Sequence, residues 1–276
     1  MNRAPSRSSR RPPGVRSICG IAGIAVWLAA AAAGATDFTA RDLTTLLFKA
    51  GQGSAPELSG KDLSGLDLAG VNFKKSRLSR SNLFGTDLTR ADLSQTDLAG
   101  ARLDRATIIG ANFDSANLQG ASLLRPTAFA DMSAAANDAP SFRNTNLKGA
   151  RIFARLTRAD FSGADLSGTY CAPFGKTGFI EVIWRTELSS ANLSNANLAR
   201  ADFTHALFNF ANLTNADLRG TILVNADLSG ADLTGADLTG ADLSGADLDS
   251  TILTGAKVLD TVAGWQLARN AERAIR

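Results

Sequence analysis

Residues Ala226-Asp227-Leu228-Ser229-Gly230 are followed by Ala231-Asp232-Leu233-Thr234-Gly235, and the same five-residue phrase returns with little change as far as Leu248. A period of five fits neither regular element. In an α-helix, residues five apart sit about 140° apart, so the leucines would spiral around every side. In a flat strand an odd period sends successive leucines to opposite faces. Only a backbone that bends once per unit keeps every leucine inside. Each unit is therefore a short extended piece plus a turn.

The same spacing extends outward. A first block carries Leu58, Leu63, Leu68, Phe73, Leu78, Leu83, Leu88, Leu93, Leu98, Leu103, Ile108, Phe113, Leu118 and Leu123, and a last block runs from Leu188 to Val258. Two residues before each centre stands mostly Ala, which points inward beside the leucine layer where a larger side chain would not fit. One residue before it, Asp or Asn is favoured, a type that bonds local backbone at a bend. Burial of each central Leu or Phe contributes roughly 1.5–3 kcal/mol. The middle is less regular. Phe142, Leu147 and Ile152 sit one residue out of phase, Leu156, Phe161 and Leu166 one further, and Leu188 restores the original phase.

This pattern resembles the pentapeptide-repeat family, written A(D/N)Lxx. The resemblance covers residues 56–125 and 186–258 well and 142–168 fairly. It implies an all-β solenoid, a right-handed, four-sided β-helix with four units per coil. Around it the chain reads as a signal peptide (1–35), an N-terminal capping region (36–55), repeats (56–125), an insert (126–141), an irregular middle block (142–168), an aromatic-rich insert (169–187), repeats (188–258) and a C-terminal cap (259–276).

Solenoid ends expose core and open edges, so both need covers. Thr39-Ala40-Arg41-Asp42 has capping-box spacing, Leu43, Leu46, Leu47 and Ala50 form one apolar face, and Gly51 suits the stop. A second helix is expected over Asp260–Arg276, with Val262, Leu267, Ala271 and Ile275 as its apolar side.

The formal charge of +3 belongs to the leader. Residues 1–35 hold five arginines and no acid, so 24 basic and 26 acidic residues remain after them, a balance of −2. The basic pI therefore gives no support to nucleic-acid binding by the mature chain. An arginine-bearing stretch to Arg16, an apolar run from Ile18 to Ala33 and the small-x-small sequence Ala33-Gly34-Ala35 predict cleavage after Ala35. The expected location is the periplasm or the exterior. The rival, a retained anchor, has a short run dominated by Ala and Gly against it. Ser9-Arg10-Arg11 hints at twin-arginine export, with Pro12 and Pro13 against it, and Cys19 lacks a lipobox.

Catalysis would need a nucleophile, base or metal cluster. His205 is the only histidine and falls at an outward position. Cys171, the one thiol left after cleavage, sits in apolar sequence with no flanking cation to favour thiolate. No catalytic, cofactor or metal site is expected. Asp227, Asp232, Asp237, Asp242, Asp247 and Asp249 form an acidic run that reads as turn-forming residues or as a surface for a basic partner. A non-catalytic interaction scaffold of the cell envelope, binding another protein, is the expectation. The alternative implied by the resemblance is a DNA-mimicking binder of a type II topoisomerase, of the quinolone-resistance type. The near-neutral mature charge, the cations Lys74, Lys75, Arg77 and Arg80, and the leader count against it. The second insert gathers the only Tyr, two Phe and a Trp, residue types that anchor interfaces. Tyr170, Phe174, Phe179 and Trp184 are the candidate partner-binding residues.

Overall fold

The computed structural model describes residues 37–50, 55–73, 75–129, 138–173, 185–257 and 262–276. The leader and its expected cleavage point lie outside these residues, as do Phe174, Phe179 and Trp184.

The unit Ala91–Gln95 shows how five residues close a bend. Its chain-following turn is fixed by the N–H of Thr96 donating to the Leu93 carbonyl at 3.2 Å, and Gln95 takes a left-handed conformation at φ 57°. Positive φ at the third position of such a turn is the type II signature. The N–H groups of the unit are then fully accounted for. Ala91 donates to Leu88 of the preceding turn (2.9 Å), Asp92 to Val71 of the coil before (2.9 Å), and Leu93 and Gln95 to Asn112 and Asp114 of the coil after (2.8 and 2.9 Å). One N–H is left over, that of Ser94, and the Asp92 carboxylate accepts it at 3.0 Å. An unpaired backbone donor costs about as much as a lost hydrogen bond. The consensus Asp or Asn is therefore the residue that completes the turn.

Coils stack through parallel bridges between residues 20 apart, such as Glu57 to Arg77, Asp62 to Asn82, Asp67 to Asp87 and Asn72 to Asp92. Four ladders, named here by their first residues, thus rise along the chain, with four units per coil. The two named strands, β1 (Ser122–Leu124) and β2 (Arg151–Phe153), pair in parallel within this stack. The central Leu, Ile and Phe residues and the alanines beside them are buried, as their positions require. In the Asn72 ladder the rings of Phe113, Phe142 and Phe161 stack at 4.9 and 4.7 Å between centroids.

The irregular middle stays in the stack. Successive ladder positions step from Thr127 to Ser141 and from Tyr170 to Glu187, so each insert leaves and re-enters at one corner, while the step from Arg151 to Arg155 is one residue short. Thr127 still bridges the coil before it, Tyr170 bridges both neighbouring coils, and Cys171 takes a central, buried place.

At the N-terminal end, helix α1 (Ala40–Lys49) starts at Thr39 with the full capping box to Asp42. The Thr39 hydroxyl, and then its backbone N–H, hold the Asp42 carboxyl below the usual carboxylate range. Leu43 and Leu47 are buried in the core cluster with Leu58 and Leu63.

The C-terminal end departs from expectation. Residues 262–276 do not form an amphipathic helix but one more coil: Ala263 bridges Asp242, Arg269 bridges Asp247 and Ile275 bridges Ile252. These ladder residues are six apart, and the extra residue is absorbed by 3-10 turns at Trp265–Leu267 and Ala271–Arg273, entered through Gly264 (φ 72°) and Asn270 (φ 55°). Leu267 and Ile275 are 68% and 52% exposed, and the inward residue is Val262. A lone helix this short is marginal in water. The open edge of the preceding coil offers backbone partners that the segment takes instead.

Two sets of substitutions test this architecture. Leu93→Asp puts a charge into the dry core and is expected to cost more than about 4 kcal/mol, while outward Ser94→Ala stays within about 0.5 kcal/mol. Equal losses in denaturant melts would contradict the inside–outside assignment. Gly240 has φ 67° with nothing within 4 Å of an added Cβ, so Gly240→Ala should cost only the left-handed strain, about 1–2 kcal/mol. At Gly264 an added Cβ meets the Ser244 backbone N at 2.5 Å and Cα at 2.6 Å. Gly264→Ala should therefore lower the melting temperature distinctly more than Gly240→Ala.

Candidate binding face

The Asp62 ladder carries outward residues in the order Asp62, Asn82, Arg102, Ser122, Arg151, Tyr170, Asp202, Ile222 and Asp242. Tyr170 is thus held by backbone pairing between Arg151 and Asp202. Its N–H donates to Ala150 and its carbonyl accepts from Ile152, both at 3.0 Å, and the residue is 39% exposed. Of the four aromatic candidates, the structure places Tyr170 on this ladder, where the second insert departs.

The corner that follows the ladder was not singled out by the sequence reading. In the first two coils it is turned by Gly65 and Gly85, but in the next two by Arg105 (φ 57°) and Arg125 (φ 55°). The coil above contributes Arg155 through its shortened step, and Arg185 leads into Glu187 above that. Two other corners carry two left-handed arginines each, Arg80 with Arg200 and Arg90 with Arg158, in coils that are not successive. Among the described residues, only this corner has arginine in successive coils.

Packing fixes these side chains. The Arg102 guanidinium lies 4.4 Å and that of Arg105 5.7 Å from the centre of the Phe84 ring, a cation–π arrangement. Arg102 also pairs with Asp104 at 2.9 Å. Asp104 does further work in its turn. Where Ser122 occupies the consensus Asp/Asn place, Asp104 of the preceding coil accepts from the Ser122 hydroxyl (2.5 Å) and from the left-over Leu124 N–H (3.1 Å). Arg155 pairs with Glu187 at 2.9 Å. Among the described residues, Arg105 and Arg185 have no ion pair. The face is therefore net cationic, with Phe84 and Tyr170 set among the arginines.

The other residues raised by the sequence are elsewhere. His205 turns the same corner at φ 62°, three coils beyond Arg125. The acidic run spreads over all four ladders, and Asp227, Asp232, Asp237, Asp242 and Asp247 each accept the N–H two residues on. The Thr239 hydroxyl and backbone N–H hold Asp237 below its usual range. These carboxylates are occupied in their own turns. Among the described residues, no group of three or more His, Cys, Asp or Glu side chains is arranged to hold a metal.

The match to known families follows the ladders. The model of pentapeptide repeats fits residues 55–90, 86–123, 141–171, 186–225 and 223–255. The chain belongs to the pentapeptide repeat family. Pentapeptide repeat proteins fold as right-handed quadrilateral β-helices, consistent with the four ladders here. No characterised protein sequence in the comparison matches. Among solved structures, the chain is similar to HetL, a pentapeptide repeat protein involved in heterocyst differentiation regulation from the cyanobacterium Nostoc sp. strain PCC 7120. The two are 24% identical, with 86% of this chain and 94% of HetL covered and a TM-score of 0.48. It is also similar to a pentapeptide repeat protein of the Arabidopsis thaliana thylakoid lumen, at 31% identity over 46% of this chain and 74% of that one, with a TM-score of 0.26. QnrB1, a plasmid-mediated fluoroquinolone resistance protein, is 22% identical over 76% of this chain and 90% of its own, with a TM-score of 0.35. Proteins of this family are generally structural or interaction proteins rather than enzymes.

Cys171 makes one prediction about chemistry. Burial pushes its thiol up to about 12, with the Thr169 hydroxyl, 3.8 Å away, acting in the opposite direction. The thiolate is the reactive form. In a chain starting at Thr36, Cys171 should resist a soluble thiol reagent at pH 8 and react fully once denatured. Rapid labelling of the folded protein would show that this position is open.

Proposed function

We propose that this protein is an exported, non-catalytic scaffold of the cell envelope that binds an acidic protein partner on the face around Tyr170. The observation that carries the reading is the run Arg102, Arg105, Arg125, Arg151 and Arg155 beside exposed Tyr170 at the base of the aromatic insert. Arginine and tyrosine are enriched in interface anchors, and a positively charged patch steers an acidic partner. The rigid stack beneath holds these groups at fixed spacing, which lowers the ordering cost of binding. Export is supported by the arginine-bearing leader, its apolar run and the Ala33-Gly34-Ala35 site. Among the described residues, no helix is long and apolar enough to cross a membrane.

The alternative, a DNA-mimicking binder of a type II topoisomerase, requires a continuous acidic surface. The aspartates here are divided among four ladders and engaged in their own turns, while the concentrated charge is positive. Both features weigh toward the scaffold reading.

The test uses the mature chain to capture partners from envelope extract, with Arg105→Glu/Arg151→Glu and Tyr170→Ala as variants. The double reversal is expected to reduce capture at least about tenfold, and the tyrosine change severalfold, with melting temperatures near that of the parent. Captured protein should elute with salt. Undiminished capture by the double reversal would end the reading, and an exported product beginning at Met1 would end its export half.

A further inference from the structure

Beside the arginine corner runs an apolar column. It consists of the residues two places after the Asp62 ladder, namely Phe84, Leu124, Phe153, Ala172 and Val224, interrupted by Asp104 and Thr204. Backbone bonds hold its members one above another. The N–H groups of Gly65, Gly85, Arg105, Arg125 and His205 donate to the carbonyls of Phe84, Asp104, Leu124, Phe153 and Val224 at 2.7–3.0 Å. The equivalent places after the Glu57 and Asn72 ladders carry no Phe, Leu, Ile or Val among the described residues, and those after the Asp67 ladder carry Ile109 and Phe129.

The flanks of the column differ in chemistry. On one side stand Tyr170 and Ile222 of the Asp62 ladder, each 39% exposed. Ile222 takes a place where Asp or Asn would complete the turn, so an outward apolar side chain stands where the fold favours a carboxylate or amide. On the other side stand Arg105 and, one coil on, Arg125. Beside Phe153 lies a half-open cavity of about 110 Å³ lined by Arg125, Pro126, Phe153, Ala154, Arg155 and Arg185. An apolar cavity of about 150 Å³ accepts benzene, so 110 Å³ is room for one aliphatic side chain.

We propose that this corner seats an amphipathic α-helix of the partner, aligned with the solenoid axis, its apolar stripe on the column and its acidic flank on the arginines. The proposal rests on the reading that the face around Tyr170 binds an acidic protein, and it names the element of that protein in contact. Spacing favours a helix. Coils repeat about every 4.8 Å, helical turns about every 5.4 Å, and side chains on one face of a strand about every 6.7 Å. A helix therefore brings roughly one side chain to each coil, whereas a strand falls out of step by about 2 Å per coil. Six coil steps separate Phe84 from Val224, about 29 Å, which is the length of about 19 helical residues.

Charge sets the second requirement. The arginines there outnumber Asp104 and Glu187, the carboxylates paired with Arg102 and Arg155. They repel a basic helix and give a neutral one nothing, so Asp and Glu on the flank are the complement. Apolar contact and charge together distinguish this corner from the trough edged by Lys148, Arg200 and Arg219. The floor of that trough, with Ser167, Gly168 and Gly220, offers no large apolar side chain among the described residues.

The experiment is fluorescence anisotropy of the mature chain with a synthetic helical peptide of about 19 residues, its leucines spaced alternately three and four apart and flanked by glutamates. A second peptide of identical composition has its leucines dispersed around the helix. The patterned peptide should bind at least about tenfold tighter than the dispersed one, as expected for anchors seated on apolar side chains. Leu124→Ser should weaken it roughly tenfold, whereas Ile109→Ser, the same kind of change at the neighbouring corner, should leave it unchanged. Thermal melts establish that both variants are folded. Equal affinity for the two peptides, no binding of the patterned one, or equal weakening by Ile109→Ser overturns the helix. The acidic-partner reading then still stands if capture from envelope extract falls with Arg105→Glu/Arg151→Glu, and it fails with the helix if capture does not.

Discussion

Every fifth residue of this chain must turn a corner without stranding a backbone N–H, and that requirement shapes nearly everything else. Four of the five N–H groups in a unit find carbonyls in the same turn or in adjacent coils. The fifth, just after the central residue, faces no carbonyl and needs a side-chain oxygen from two residues back. Asp and Asn supply it, and Ser does not reach. At Ser122 and Ser141 the missing oxygen comes instead from Asp104 and Asp114 of the preceding coil, and Asp114 also accepts from the Arg143 N–H at 3.0 Å. Burial opposes ionisation of Asp114, but bonds from Arg143 and Ser141 outweigh it and hold the carboxyl below its usual range. The chain meets the same requirement by two routes at these units, while behind Arg102, Leu207 and Ile222 no side-chain oxygen takes the N–H two residues on.

The core follows from the same bend. Because each unit turns identically, the central residue always points to the axis, and residues separated by one coil lie directly above one another. Asn side chains then bond carboxylates one coil away, as Asn82 does to Asp62 at 2.9 Å and Asn117 to Asp97 at 2.9 Å. Phe113, Phe142 and Phe161 stack although sequence spacing between them is irregular. Register in space is set by the ladders, and inserts are absorbed at corners, with the Asp67 ladder alone missing a bridge, between Thr127 and Arg155, among the described residues.

This explains what could be read from the sequence. The buried centres and alanines were legible because their period is local, and α1 was legible because its capping box lies within four residues. The C-terminal coil was not. Val262, Ala268 and Ala274 recur every six residues, and the rows of apolar residues between them imitate a helical face. The deciding factor was the open edge of the previous coil, which is not a property of the segment itself. For the candidate face, Tyr170 stood out as the only tyrosine, whereas Phe174, Phe179 and Trp184 lie outside the described residues. The arginine corner escaped notice because Arg105 and Arg125 are 20 residues apart and become neighbours only when a coil closes. Arg155 and Arg185 reach it through a shortened step and an insert, which no fixed spacing reveals.

Stacking places like charges together at many points in this fold, and the reasons differ. Asp67 above Asp87, Asp217 above Asp237 and Asp227 above Asp247 repeat one sign on successive coils. Two unit charges at about 5 Å repel by about 0.8 kcal/mol even in water. For the aspartates this cost is offset, since most of these carboxylates accept the left-over N–H of their own turn. Arginine at a left-handed corner has no such duty. Glycine turns the same corner at Gly65, Gly85 and Gly245 without strain and without charge. Arg105 and Arg125 therefore add conformational strain to the free protein, and the Arg105 guanidinium lies 5.7 Å from the centre of the Phe84 ring. The charge on the ladders is explained by the turn, and the charge at the arginine corner is not.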